Sequence, residues 1–134
     1  MKSMSVMLSL LTSLCLANAA QAGTWLWPNK NNVVQVVSVD GDPAKLLKRN
    51  KLAAFKVAFQ NVDPSVKANV KLLEFDARMP AHNHGMLTKP NFKSDGKGYI
   101  IEGINLHMSG LWELTFRIQT SQDNQTLVVP IQVP

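Results

Sequence analysis

The run Leu111-Trp112-Glu113-Leu114-Thr115-Phe116-Arg117-Ile118-Gln119 alternates without a break. Trp112, Leu114, Phe116 and Ile118 fall on one side; Glu113, Thr115, Arg117 and Gln119 fall on the other. A period of two with one apolar and one polar face is the mark of an antiparallel strand covering a core on one side only. Working outward, Val33 to Val39 reads as a strand closed by Asp40-Gly41-Asp42-Pro43. Ala44 to Asn50 reads as a single helical turn or a basic loop. Leu52 to Phe59 puts Phe55, Val57 and Phe59 on one face and ends at Asn61 to Pro64. Val70 to Phe75 and Thr126 to Val133 are further strands. Gly98 to Met108 is expected to form a hairpin with Leu111 to Gln119 across Ser109-Gly110. Short strands at regular spacing with almost no helical periodicity predict an all-β, immunoglobulin-like antiparallel β-sandwich of about seven strands. The paired Cys and Trp hallmarks of antibody domains are absent.

The N-terminus reads as a cleavable secretory signal. Lys2 supplies the positive start, Val6 to Ala17 the apolar run, and Ala20-Gln21-Ala22 a small-residue cleavage site before Gly23. That run is shorter than the roughly 20 apolar residues of a membrane span, so no integral span is expected after cleavage; retained, the segment would instead act as an anchor. The expected layout is a signal at 1–22, a polar arm with Trp25 and Trp27 at 23–32, and one sandwich domain at 33–134. Cys15, the only cysteine, leaves with the signal. A periplasmic or secreted mature chain therefore has no disulfide, thiolate zinc site or thiol nucleophile.

The chain carries 14 Lys and Arg against 9 Asp and Glu, a formal +5 that becomes +4 without Lys2. Lys45, Lys48, Arg49 and Lys51 form the one dense basic group and read as a solvated face. With no interleaving of aromatic and basic residues, nucleic acid is not an expected partner.

Chemistry concentrates elsewhere. Beyond the signal, every histidine and methionine lies between Met79 and Met108, in Met79-Pro80-Ala81-His82-Asn83-His84-Gly85-Met86 and His107-Met108. Imidazole and thioether are ligands that suit copper, as Cu(I) or Cu(II). In an extended segment His82 and His84 leave the same face with Cα atoms about 6.6 Å apart, a gap two imidazoles can close around one ion. Pro80 holds Met79 extended, and Gly85 permits a turn after His84. Met79 and Met86 flank the pair as auxiliary thioethers. Continued alternation from Tyr99 turns Ile104, Leu106 and Met108 inward and Asn105 and His107 outward. His107 is therefore ranked above Met108, since strand neighbours point to opposite faces and Met commonly fills core space. No nucleophile elbow, phosphate-binding glycine loop or His-Glu-x-x-His helix is present, and no enzyme is expected.

Three motifs, MPAHNHGM at 79–86, GKGYIIEGINLHMSG at 96–110 and LWELTFRI at 111–118, resemble the YtkA-like domain family of secreted or membrane-tethered bacterial proteins, related to FixH-type domains. The resemblance implies a small immunoglobulin-like sandwich and, by association, copper handling or oxidase assembly. The His/Met grouping is also similar to the copper site of periplasmic chaperones of the PCuA(C) type, although His107 and Met108 are adjacent here without the intervening residue of those proteins. The expected function is a non-catalytic copper-binding or copper-delivering domain, with an envelope protein as recipient. The alternative is a metal-free envelope interaction module that uses Trp25, Trp27 and the loop methionines as contacts.

Overall fold

The computed structural model describes residues 25–26, 34–61 and 69–134. The expected signal at 1–22 and Trp27 lie outside them. Two antiparallel sheets face each other. The first comprises β1 (Trp25–Leu26), β2 (Val34–Ser38), β3 (Ala53–Asn61), β6 (Asn91–Ser94) and β7 (Tyr99–Ile104), in the order β1-β2-β3-β7-β6. The second comprises β4 (Lys71–Met79), β5 (His84–Gly85), β8 (Gly110–Gln119) and β9 (Asn124–Val133), in the order β5-β4-β8-β9. The expected all-β sandwich is thus the observed architecture. Within the expected polar arm, Trp25 and Leu26 pair with Ser38 and Val37 as a short edge strand. One short helix, α1 (Pro43–Leu46), follows β2. The Asp42 carboxylate accepts from the Ala44 N–H and Pro43 opens the first turn, a favoured arrangement for starting a helix.

Trp112, Leu114, Phe116 and Ile118 are buried, as their alternation requires. Phe116 lies against Phe75 and Phe59, and Phe75 meets Phe55 of the facing sheet edge-on at 6.2 Å. Those rings join the two sheets, in the geometry aromatic pairs prefer. Ser94 to Gly98 closes the β6–β7 hairpin. Asp95 accepts from the Lys97 and Gly98 N–H groups and pairs with Lys56 of β3. Lys56 chiefly, and the two amides with it, hold the Asp95 carboxyl below its ordinary pKa. A carboxyl depressed in the folded state stabilises above its unfolded pKa and loses that contribution as pH falls through the folded one. Asp95→Asn is therefore expected to lower stability at pH 7, where the charged carboxylate contributes, and to flatten the loss of stability below about pH 4, where it no longer does. Urea unfolding at both pH values checks this.

Two expectations are corrected. Gly98 to Met108 and Leu111 to Gln119 do not form a hairpin: β7 pairs with β3 and β6, whereas β8 pairs with β4 and β9. Residues 105–109 instead carry the chain from one sheet to the other. Strict alternation through β7 also fails. Ala53 and Phe55 oppose Ile104 and Ile101, so β7 holds one extra residue, and Gly103 sits there at φ 76°. Glycine takes that left-handed conformation without a Cβ penalty. The bulge turns both Ile101 and Ile104 into the core.

A second bulge, at Leu73, matters more for the site. Leu72 and Glu74 oppose Ile118 and Arg117, so β4 changes phase, and Phe75, Ala77 and Met79 face inward. β9, the outermost strand of its sheet, carries Pro130 opposite Glu113. An edge strand tolerates proline because the missing donor can lie on the side with no neighbour. Among the described residues no helix is long and apolar enough to cross a membrane.

Candidate metal centre

Met79 to Gly85 forms a tight hairpin at the end of β4. Met79 pairs with His84, and Arg78 with Gly85. The four loop residues between Met79 and His84 are closed by the His82 N–H donating to the Met79 carbonyl and the Asn83 N–H to the Pro80 carbonyl. Asn83 adopts φ 51°, a left-handed conformation asparagine accepts better than most residues. The reversal expected at Gly85 therefore comes two residues earlier, and Gly85 lies in the β5 ladder. His82 is in the turn rather than on an extended segment.

Register then decides where His84 points. Directly opposed residues of an antiparallel pair share a face of the sheet. Met79 faces the other sheet because of the Leu73 bulge, so His84 turns to the same side. There it meets His107, which arrives on the 105–109 crossing from the other sheet. The ring centroids of His84 and His107 are 6.4 Å apart, and those of His82 and His84 are 6.3 Å apart with planes 25° from parallel. His107 lies edge-on to Trp112 at 5.7 Å. Trp112 is fully buried, and its indole N–H donates to the Met108 carbonyl at 2.9 Å. One side chain of β8 thus supports both the His107 ring and the backbone beside it.

The fold brings all three candidate histidines together, with His84 in the middle. His82 and His84 are exposed and His107 is half-buried. With nitrogen–metal bonds of about 2.0–2.1 Å, rings sharing one ion lie roughly 5–6.5 Å apart between centroids, and both observed separations are at the wide end of that interval. Among the described residues no group of three His, Cys, Asp or Glu side chains is set to hold a metal ion. The imidazoles are neighbours rather than a closed ligand set, and rotation of the exposed rings of His82 and His84 is what would close it.

One feature of the donor set fits an ion. His107 Nδ1 is buried and has no hydrogen-bond partner. A polar atom left in that condition costs about 1–3 kcal/mol, and the Thr88 and Asn105 side-chain oxygens share it.

The methionines divide. Met79 is 1 % exposed and packs in the core, its methyl 2.8 Å from where a Cβ on Gly110 would stand. Met86 and Met108 are half-buried against the core's edge, next in sequence but one to His84 and next to His107. Trp25 contributes backbone to β1. Sequence reasoning treated Trp112 only as core and Asn83 not at all. The alternation that buried Trp112 gave no sign of its contact with His107, whereas asparagine in a polar loop is a known signal for a left-handed turn.

No family model, curated protein or solved structure matches this chain.

Proposed function

We propose that the mature chain is a periplasmic or secreted copper-binding domain that holds or passes on the ion without catalysis, with His82, His84 and His107 as nitrogen ligands. The observation that carries the reading is the meeting of His107 with His84 across the two sheets, 23 positions apart in sequence, at the same end where His82 stacks on His84. A bound ion would give the unpartnered His107 nitrogen a partner. Met86 and Met108 are the thioethers nearest in sequence, suited to the reduced ion; Met79 belongs to the core and serves by fixing the strand that His84 pairs with. The likeness of the quoted motifs to YtkA-like domains supports the same reading, and an envelope protein is the recipient it implies.

The test is a competition titration of residues 23–134 with Cu(I) and Cu(II) against a calibrated chelator, followed by tryptophan emission in a Trp25→Phe, Trp27→Phe background. One ion per chain is expected, bound tighter than micromolar, which is more than about 8 kcal/mol. Cu(II) is expected to quench the emission of Trp112, which touches His107. Tight Cu(II) binding with undiminished Trp112 emission would place the ion away from His107. Binding no tighter than a pair of free histidines manages would end the copper reading.

A further inference from the structure

His107 and Met108 also line a second feature. With Arg49, Asn50, Lys51 and Ser109 they border an open cleft of about 680 Å³, within the size range of small-molecule sites. Among the described residues no acidic side chain lines it. The Arg49 guanidinium donates one hydrogen bond, to the neutral Ser109 hydroxyl at 3.3 Å, which leaves most of its five donors. Lys51 is exposed and takes no part in the ion pairs among the described residues.

The main chain that carries the two cations is fastened by hydrogen bonds. The Asn50 N–H donates to the Leu106 carbonyl at 2.8 Å, with Asn50 at φ 54°, which fastens the 48–51 loop to the 105–109 crossing. The Lys51 N–H closes the same loop on the Lys48 carbonyl. The Ser109 hydroxyl donates to the Pro134 backbone oxygen and receives the Arg49 N–H. A concavity with two positive side chains, amide and hydroxyl groups, and no acidic side chain in its lining among the described residues is electrostatically complementary to an anion.

We propose that this cleft is an oxyanion site, in which Arg49 and Lys51 take the charge of a carboxylate- or phosphate-bearing small molecule beside the histidine cluster. The site is independent of the copper reading, because no metal enters its construction. Lys45 and Lys48 belong to the same basic group but do not line the cleft, so they serve as the control.

Metal-free residues 23–134 would be titrated with citrate and, separately, with inorganic phosphate at low ionic strength, by calorimetry and by backbone amide shifts. Saturable binding of one anion per chain is expected, with shifts centred on residues 49–51 and 107–109. Arg49→Gln, Lys51→Gln should weaken it at least tenfold, and Lys45→Gln, Lys48→Gln less than threefold. A preference for citrate assigns a carboxylate ligand, and one for phosphate a phosphoryl ligand; either supports the site. Equal weakening by the two double variants would reduce the effect to net charge and overturn the proposal, as would shifts centred elsewhere. Because all four side chains are exposed, the variants are expected to fold, and amide spectra without anion verify that directly.

Discussion

Replacing His82 and His84 together with alanine is expected to leave the mature chain folded and to weaken its copper binding at least 100-fold. Both side chains are exposed at the tip of a short hairpin, and changes at such positions ordinarily move stability by no more than about 0.5 kcal/mol. The hairpin itself rests on main-chain bonds and on Asn83, which the substitutions leave in place. Two of three nitrogens would be gone, and a 100-fold loss corresponds to about 2.7 kcal/mol. The single variant His107→Ala tests the other half of the site. It removes the ring that crosses from the facing sheet, and its copper affinity should fall by a comparable factor to that of His84→Ala. Competition titration of the three variants, with thermal unfolding alongside, is the measurement. Unchanged affinity in the double variant would take the hairpin out of the site altogether.

The second large effect is expected at Trp112. Trp112→Ala should cost about 3–5 kcal/mol, the usual range for emptying a large aromatic from a core, out of a total stability of roughly 5–15 kcal/mol for a small domain. It should also weaken copper binding, since it removes the face on which His107 rests and the donor that holds the Met108 carbonyl. Ile118→Ala provides the comparison. Ile118 is just as buried and lies near the far end of the same strand, so it should cost about 2–5 kcal/mol and leave copper affinity where it was. Trp112→Phe keeps a smaller aromatic body and loses the N–H, and should fall between the native protein and Trp112→Ala. If alanine at 112 and at 118 lowers stability alike and leaves copper binding alike, Trp112 is a core residue and has no part in positioning His107.

How far the sequence reveals all this varies along the chain. The 111–119 strand is legible because its inner face is wholly buried and its outer face is polar from Glu113 onward, so alternation and burial coincide. β5 and β6 are not, being strands of two and four residues with largely exposed side chains, which leave no period to detect. The mistaken hairpin at Ser109-Gly110 has a clear cause. Turn chemistry reports that the chain bends but carries no information about which sheet it enters next. For the site, the grouping of residue types is readable, whereas the outward turn expected of His107 is not what the structure shows: its ring is half-buried against Trp112. That His84 faces His107 is not readable, because it depends on the phase change at Leu73 and on a two-residue ladder, and neither leaves a local signal. The Arg49–Lys51 group reads as a plain basic surface until the 105–109 crossing is seen to run beside it.

Among the described residues the second sheet ends in two open edges: β9 along its whole ten residues, and β4 wherever the two-residue β5 does not cover it. Such edges are templates for other chains, and a protein without disulfides has no covalent brake on the fibrils they can seed. Both are blunted. An incoming strand finds no N–H at Pro130 on β9, and on β4 it meets an Ala77 N–H already engaged by the Asp76 carboxylate at 2.8 Å. Pro130→Thr or Asp76→Ala is expected to leave the sandwich nearly untouched and restore a continuous row of donors, so resistance to self-polymerisation would rest on two side chains outside the histidine cluster.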